Sequence, residues 1–264
     1  MQQCGAEPSL GPKQLRLLVA LISWITMDGC TAAPITISQD QIEAVFLGGS
    51  TFRLLMDSTG QPVNVGATGG PHIYDFRNLS FFQYDSVTMF SVAQMPQLAT
   101  RFPPEAFTSN EEANTVYPVF SFSNHRFNRE GRARFVSATT EWYQHIIPAD
   151  AWLRFPVRFN DQFSQLHTVV VDTTYVHGMP TKTAADSGSS TTYVDGYGTL
   201  LLPGGLAFKC LRLRIVAGFP KTTKEFHFWT REGAVVLIDS NSSQPDSGVV
   251  QRGYVIYFSP QPRK

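Results

Sequence analysis

The stretch Tyr193–Ile215 constrains the fold of this chain more than any other. An apolar run, Leu200–Leu202, is followed by the turn residues Pro203–Gly205 and by a segment in which apolar and basic residues alternate. The alternating positions are Leu211, Leu213 and Ile215 on one face, and Arg212 and Arg214 on the other. Two strand-like runs joined by Pro and Gly predict a β-hairpin. We expect the apolar face to pack in a core and the arginines to lie outside.

Similar short segments, rich in Val, Thr and aromatic residues, recur along the chain with turn residues between them. Phe, Tyr and Trp make up 12% of the residues, which favours strands. No long segment has the 3.6-residue period of an amphipathic helix. The pattern indicates a β-sandwich or a barrel. We predict an all-β fold, an antiparallel β-sandwich of the jelly-roll type, with a few short helical turns, one of them around Pro96–Thr100.

Residues 1–32 have the pattern of a secretory signal peptide, which predicts a helix ahead of the domain. Lys13 and Arg16 flank the start of the apolar run Leu15–Met27, and small residues follow it. The run is shorter than the ~20 residues that span a membrane. Two forms of processing stay open: cleavage after Ala32, or a lipoprotein signal in which Cys30 is lipidated.

Residues 33–264 are predicted to form a single β-sandwich domain, with the proline-rich segment 93–114 as the candidate junction between two sub-sheets. We expect a secreted or cell-envelope protein, with a periplasmic or lipid-anchored form as the alternative. Its only contact with a membrane would be the signal peptide or the anchor. Cys210 is the one cysteine beyond the leader, so we expect a small buried side chain and no internal disulfide.

The charge balance argues against nucleic acid as a partner. The chain has 21 Lys and Arg against 21 Asp and Glu, so it has no net field that would attract a polyanion. A local basic cluster lies around Phe127, and we interpret it as the solvated face of a hairpin. Its members are Arg126, Arg129, Arg132 and Arg134.

Three stretches resemble motifs of a known family. They are Gly69–Leu79 (GGPHIYDFRNL), Trp152–Gln165 (WLRFPVRFNDQFSQ) and Asp195–Arg214 (DGYGTLLLPGG…CLRLR). In this order they are similar to the secreted, uncharacterised β-rich proteins of Bacteroidota and relatives, which often end in a type IX secretion sorting domain. The resemblance implies an exported β-rich protein and supplies no catalytic residues. No such sorting domain follows the third stretch, which implies another export route or a lost segment.

Two sets of side chains could act on sugars. Glu130 and Glu141 flank a predicted strand–turn–strand region, and paired carboxyl groups about 5–9 Å apart can cleave glycosides; the alternative is a turn residue and an exposed residue. Four aromatic residues could stack on sugar rings or pack in the core. They are Trp142, Tyr143, Trp152 and Trp229.

We expect no cofactor, with calcium as the alternative. Aspartates in or beside predicted turns can bind calcium, or can simply cap those turns. The candidates are Asp186, Asp195, Asp239 and Asp246. The six histidines form no pair with the spacing of zinc ligands.

Because no catalytic motif is present, we expect an exported, non-catalytic protein of the bacterial envelope or exterior with a structural, adhesive or ligand-binding role. Cell-surface glycans or other envelope proteins would be its partners. The alternative is a jelly-roll module that binds or cleaves carbohydrate. A concave face with exposed Trp or Tyr would favour that alternative.

Overall fold

The computed structural model describes residues 33–47, 50–111, 115–218 and 222–260, so the predicted leader and Cys30 lie outside the described residues. Pro34–Lys264 is one compact unit. Strands account for 66% of the structure and helices for 8%. In chain order the strands are β1 (Thr51–Asp57), β2 (Val63–Asn64), β3 (Gly69–Asp75), β4 (Phe82–Ser91), β5 (Phe107–Ser109), β6 (Val116–Ser123), β7 (Arg126–Ser137), β8 (Thr140–Arg154), β9 (Gln162–Val176), β10 (Met179–Leu202), β11 (Leu206–Gly218), β12 (Thr222–Thr230), β13 (Val235–Asn241), β14 (Val249–Val250) and β15 (Arg252–Pro260).

The helices are short. Helix α1 (Gln39–Phe46) begins where the backbone N–H of Ser38 donates to the side chain of Gln41, at 3.0 Å, which caps its first turn. Helix α2 (Pro96–Ala99) has proline at its start, where no backbone donor is needed, and it confirms the helical turn predicted there. Two 3-10 turns cover Val92–Gln94 and Pro203–Gly205. No helix among the described residues has the length and hydropathy that a membrane crossing requires.

The main sheet closes on itself as a barrel of 12 strands. Neighbouring strands follow the order β11-β12-β13-β15-β1-β4-β5-β6-β7-β8-β9-β10, and β10 pairs again with β11. All twelve contacts are antiparallel, while β3 adds to β10 as a parallel strand outside the ring. Strand β10 makes the closure, since its first part pairs with β9 and Ser190–Leu202 pairs with β11.

The all-β class is therefore as predicted, but the antiparallel sandwich of jelly-roll type is wrong. A sandwich needs two separate sheets whose edges stay unpaired across the core. Here the 24-residue strand β10 is long enough to pair with β9 over one half and with β11 over the other. Within the described part of segment 93–114, β5 joins β4 to β6, so the sheet runs on through this region.

The main core fills the barrel. Phe46 of α1 contacts Phe52 of β1, Phe127 of β7 and Trp229 of β12, with ring centroids 5.0, 5.2 and 6.5 Å apart. These strands lie far apart around the ring, so α1 inserts its apolar face between the barrel walls. Around it pack Leu211 and Leu213, both fully buried.

Two further cores lie on the outer surface of the sheet. Phe226 and Phe228 alternate with the inward residues of β12 and pack under β2, β3 and β14. On the far side, Tyr143 and Ala133 pack outward against the segment that contains α2. The sheet is thus covered on both faces in these two regions.

The predicted hairpin is confirmed, but one of its faces was assigned wrongly. Strands β10 and β11 pair in antiparallel register around Pro203–Gly205. Leu213 is buried as expected, whereas Arg212 is also buried, at 0% exposure. The outer face of the hairpin is covered here, because Arg212 donates to the carbonyl of Gly66 ahead of β3, at 3.3 Å, and to that of Asp246.

Candidate functional site

The barrel contains a cavity of about 370 Å³, which lies between β12, β13 and β15 on one side and β6, β7 and β8 on the other. Along β12 the inward side chains change from Trp229, to His227, to Glu225. The first is packed in the core at 1% exposure, while Glu225 keeps 41% of its side chain accessible. Each step of two residues moves roughly 7 Å along a strand, so the cavity passes from an apolar floor to a polar wall.

Two carboxylates face each other on that wall. Glu225 of β12 and Asp239 of β13 are directly opposite in register, and both line the cavity. Nε2 of His227 lies 2.8 Å from Oε2 of Glu225, so the ring holds one carboxylate oxygen. Tyr254 of β15 lines the cavity beside them and is 40% exposed.

Their surroundings shift the pKa values of the two carboxyl groups in opposite directions. Burial alone would raise the pKa of Glu225. The hydrogen bond and charge interaction with His227, together with the positive charge of Arg129, outweigh that effect and hold the pKa below its usual range. Burial and the negative charge of Glu225 raise the pKa of Asp239. Burial and the same two carboxylates raise the pKa of Tyr254 to about 12, so its hydroxyl stays protonated and can donate.

Two further cavities adjoin the first along β7 to β10. A second cavity, of about 410 Å³, shares Val116 and Arg132 with the first. A third, of about 150 Å³, shares Trp142 and Thr174 with the second. We call these three adjoining cavities the trough.

The walls of the trough hold side chains with both apolar and polar character. The guanidinium of Arg132 lies over the ring of Trp142, 5.0 Å from its centroid. The amide of Gln144 donates to Asp172 across the strands, at 3.0 Å. Lys182 lies at the far end, in the third cavity. An aromatic surface beside amide and charged groups is suited to a ligand with an apolar face and many hydroxyls.

The trough brings together three of the four predicted aromatic residues. Trp142 is half-buried on its wall, Trp152 lines the first cavity and Trp229 forms part of the floor. Trp152 is the extra residue of a β-bulge, because Phe127 pairs with Leu153 while the next residue pairs with Ala151. A bulge re-aims a side chain, and this one directs Trp152 toward the cavity.

The remaining predicted residues lie elsewhere. Tyr143 is fully buried in the outer core and donates its hydroxyl to Glu141, at 2.8 Å. Glu130 accepts a hydrogen bond from Ser121 and adjoins Gly131, which is opposite His145. Four residues of β8 separate that point from Glu141, or roughly 13 Å. The two glutamates do not form a pair.

Of the predicted calcium ligands, only Asp239 lines the trough. Asp195 pairs with Arg214 at 3.0 Å, Asp246 pairs with Lys224 at 2.7 Å, and Asp186 is exposed in β10. Among the described residues, no three His, Cys, Asp or Glu side chains are grouped so that they could hold a metal ion. Calcium stays a prediction.

Sequence reasoning missed Glu225 and Tyr254. In β12 the aromatic residues Phe226 and Phe228 alternate with His227 and Trp229. Phe226 and Phe228 lie on one face of the strand and Trp229 on the other, so the sequence already shows that both faces are apolar. A strand with two apolar faces is covered on both sides, and a carboxylate on such a strand is unusual enough to single out.

Comparisons with known proteins add no information on the function of this site. No family model, curated protein or solved structure matches the chain.

Proposed function

We propose that this protein is an exported glycan-binding protein that holds the end of a sugar chain in the trough. One observation carries the proposal: Trp142 and Trp152 line adjoining cavities of the trough without being fully packed, next to carboxylate, amide and guanidinium groups. The export part of the proposal rests on the leader pattern of residues 1–32. Glycans of cell surfaces are the partners that it implies.

The chemistry of the trough fits a sugar better than a purely apolar or a strongly charged ligand. The C–H face of a pyranose ring stacks on an aromatic ring, and its hydroxyls bond to carboxylates and amides. Glu111, Glu225 and Asp239 line the first cavity together with Arg129 and Arg132, so both signs of charge are present. A neutral ligand with many hydroxyls uses both signs of charge as hydrogen-bond partners. The cavity volume lies in the range of small-molecule sites, about 300–1,000 Å³.

A purely structural role explains the trough less well. Filling a cavity with apolar side chains would stabilise the barrel, because each cubic ångström of cavity costs about 0.02 kcal/mol. This barrel instead keeps partly exposed aromatic rings and charged groups around about 370 Å³ of open space. Retained open space with polar walls supports ligand binding.

Trp142→Ala and Trp152→Ala should each weaken glycan binding by roughly tenfold or more, because truncating a central Trp of a binding site usually costs over 1 kcal/mol. A glycan array on the purified protein identifies the ligand, and titration calorimetry with that glycan gives Kd for each variant.

Phe82→Ala is the matched control, since Phe82 is 49% exposed and lies outside the trough. Its Kd should equal that of the unmodified protein. The proposal is overturned if no glycan binds, or if the tryptophan variants bind as well as the control.

A further inference from the structure

Glu225 and Asp239 start from directly opposite positions on one wall of the cavity, from which their side chains can bring two carboxyl groups close together. Residues directly opposite on antiparallel strands have Cβ atoms about 4.5–5.5 Å apart, and these two both face the cavity. Glycosidases that retain the anomeric configuration hold their two carboxyl groups about 5–5.5 Å apart. A sugar at the inner end of the trough would lie against both.

We propose that Glu225 and Asp239 cleave glycosidic bonds by a retaining, two-step mechanism, with Glu225 as the nucleophile and Asp239 as the general acid and base. This inference rests on the proposed function, because it needs a sugar chain in the trough. The substrate class is the terminal glycoside of an oligosaccharide.

In the first step a carboxylate oxygen of Glu225 bonds to the anomeric carbon, while the bond from that carbon to the leaving oxygen breaks. The proton of Asp239 moves to the leaving oxygen, which departs as an alcohol. In the second step Asp239 takes a proton from water, the water oxygen bonds to the anomeric carbon, and the bond to Glu225 breaks. One glycoside and one water give one hemiacetal and one alcohol, and both carboxyl groups return to their starting forms.

His227 is a positioning residue in this scheme. Its Nε2 holds Oε2 of Glu225 at 2.8 Å, which leaves the other oxygen for attack. The opposite pKa shifts of the pair agree with the roles, since a nucleophile must be ionised and an acid must keep its proton. The other titratable or charged groups around the cavity are Tyr254 on β15, Arg129 and Arg132 on β7, and Glu111 ahead of β6.

Two buried nitrogen atoms that have no hydrogen-bond partner within the described ranges lie on the same face of β12 as Glu225. Trp229 forms part of the cavity wall at 1% exposure, and its indole N–H has no hydrogen-bond partner among the described residues. Nδ1 of the buried His227 is likewise without a partner in that part of the chain. A buried polar atom without a partner destabilises the folded protein. Trp229 lies roughly 13 Å along β12 from Glu225, so its N–H would bond to a part of the sugar chain at the floor of the cavity.

Incubation of the purified protein with a panel of 4-nitrophenyl mono- and disaccharides tests the proposal. The unmodified protein should release 4-nitrophenol from at least one of them, and Glu225→Gln and Asp239→Asn should each lower kcat by at least ~100-fold while glycan binding persists. Glu232→Gln, at an exposed turn, and Asp186→Asn, at an exposed strand position, are the matched controls and should keep full activity.

A measurement on the unmodified protein covers the case in which the variants do not fold. A 2-deoxy-2-fluoro glycoside of the accepted sugar should stop turnover and leave its mass on the peptide that contains Glu225. Glycan binding with no hydrolysis overturns this inference and leaves the proposed function standing, whereas no binding and no hydrolysis overturns both. Label on another residue, or a product of inverted configuration, also overturns it.

Discussion

At the scale of single residues, this protein uses ion pairs in two different ways. Asp57 is 2% exposed and pairs with Arg252 at 3.0 Å, while Asp75 pairs with Arg77 at 2.5 Å on the surface. Burial raises the pKa of Asp57, but hydrogen bonds from Thr59, Arg252 and Ser80 lower it to about 2. Arg77 alone lowers the pKa of Asp75 to about 2. Equal pKa values here do not mean equal contributions to stability, because solvent screens the exposed pair.

Asp57→Ala should lower the free energy of unfolding at pH 7 by about 3–5 kcal/mol, since it leaves Arg252 buried without its partner. The folded-state pKa lies below the ordinary 3.8, so the stabilisation is present above about pH 4 and is lost as the pH falls through about 2. Urea denaturation at both ends of this range measures it. Asp75→Ala is the control and should change stability little; an equal effect of both variants would contradict the argument.

At the scale of elements, the parallel strand β3 depends on a close approach to β10. Gly198 of β10 pairs with His72 of β3. A Cβ on Gly198 would lie 1.9 Å from the carbonyl oxygen of His72, which is backbone and cannot turn aside. The glycine is therefore required by packing between two backbones.

Gly198→Ala should detach β3 from the barrel and lower the melting temperature by several degrees, as overpacking by one methyl group typically costs about 1–3 kcal/mol. Hydrogen exchange of the β3 amides should rise at the same time. Gly218→Ala, where a Cβ would meet its nearest neighbour at 3.8 Å, is the matched control and should leave both measurements unchanged.

Some elements were predictable from local pattern and others were not. The sequence of Tyr193–Ile215 correctly predicted a hairpin turn and a buried apolar face. Residues 184–190 are small and polar, a composition typical of a loop, yet they continue β10 and pair with β9. Both faces of this part of β10 are exposed, so the period-two signal of a half-buried strand is absent. Hydrogen bonds to β9 alone make it a strand.

At the scale of the whole molecule, closure depends on contacts between distant parts of the chain. Residues 52–57 of β1 pair with residues 255–260 of β15. No local pattern specifies which strands meet over that separation, so sequence reasoning reached the all-β class and stopped short of the barrel. For the same reason, only part of the candidate site could be predicted from the sequence. Trp142 and Trp152 could be singled out as residue types, whereas the opposition of Glu225 and Asp239 exists only once β12 and β13 are in register.

Phe46→Ala should lower the free energy of unfolding by about 3–5 kcal/mol, because Phe46 fills the barrel beneath the cavity and its loss leaves a larger space. Chemical denaturation followed by tryptophan fluorescence reports it, as Trp229 is in ring contact with Phe46. Leu47→Ala, at the neighbouring position with 50% exposure, should change stability by less than ~0.5 kcal/mol. Similar losses for both variants would show that α1 does not support the barrel from within.

The pairing of β10 with β11 also affects how copies of this protein can associate with one another. A ring of strands presents no unpaired backbone row on which another molecule could add a strand. Open rows nevertheless remain among the described residues of the main sheet. One belongs to β3, which is seven residues long and carries Pro71, a residue that cannot donate a backbone hydrogen bond, and another runs along Met179–Ser189 of β10, which pair with β9 alone. In a molecule that is two thirds strand, addition of a strand from another copy should therefore be confined to such rows at high local concentration.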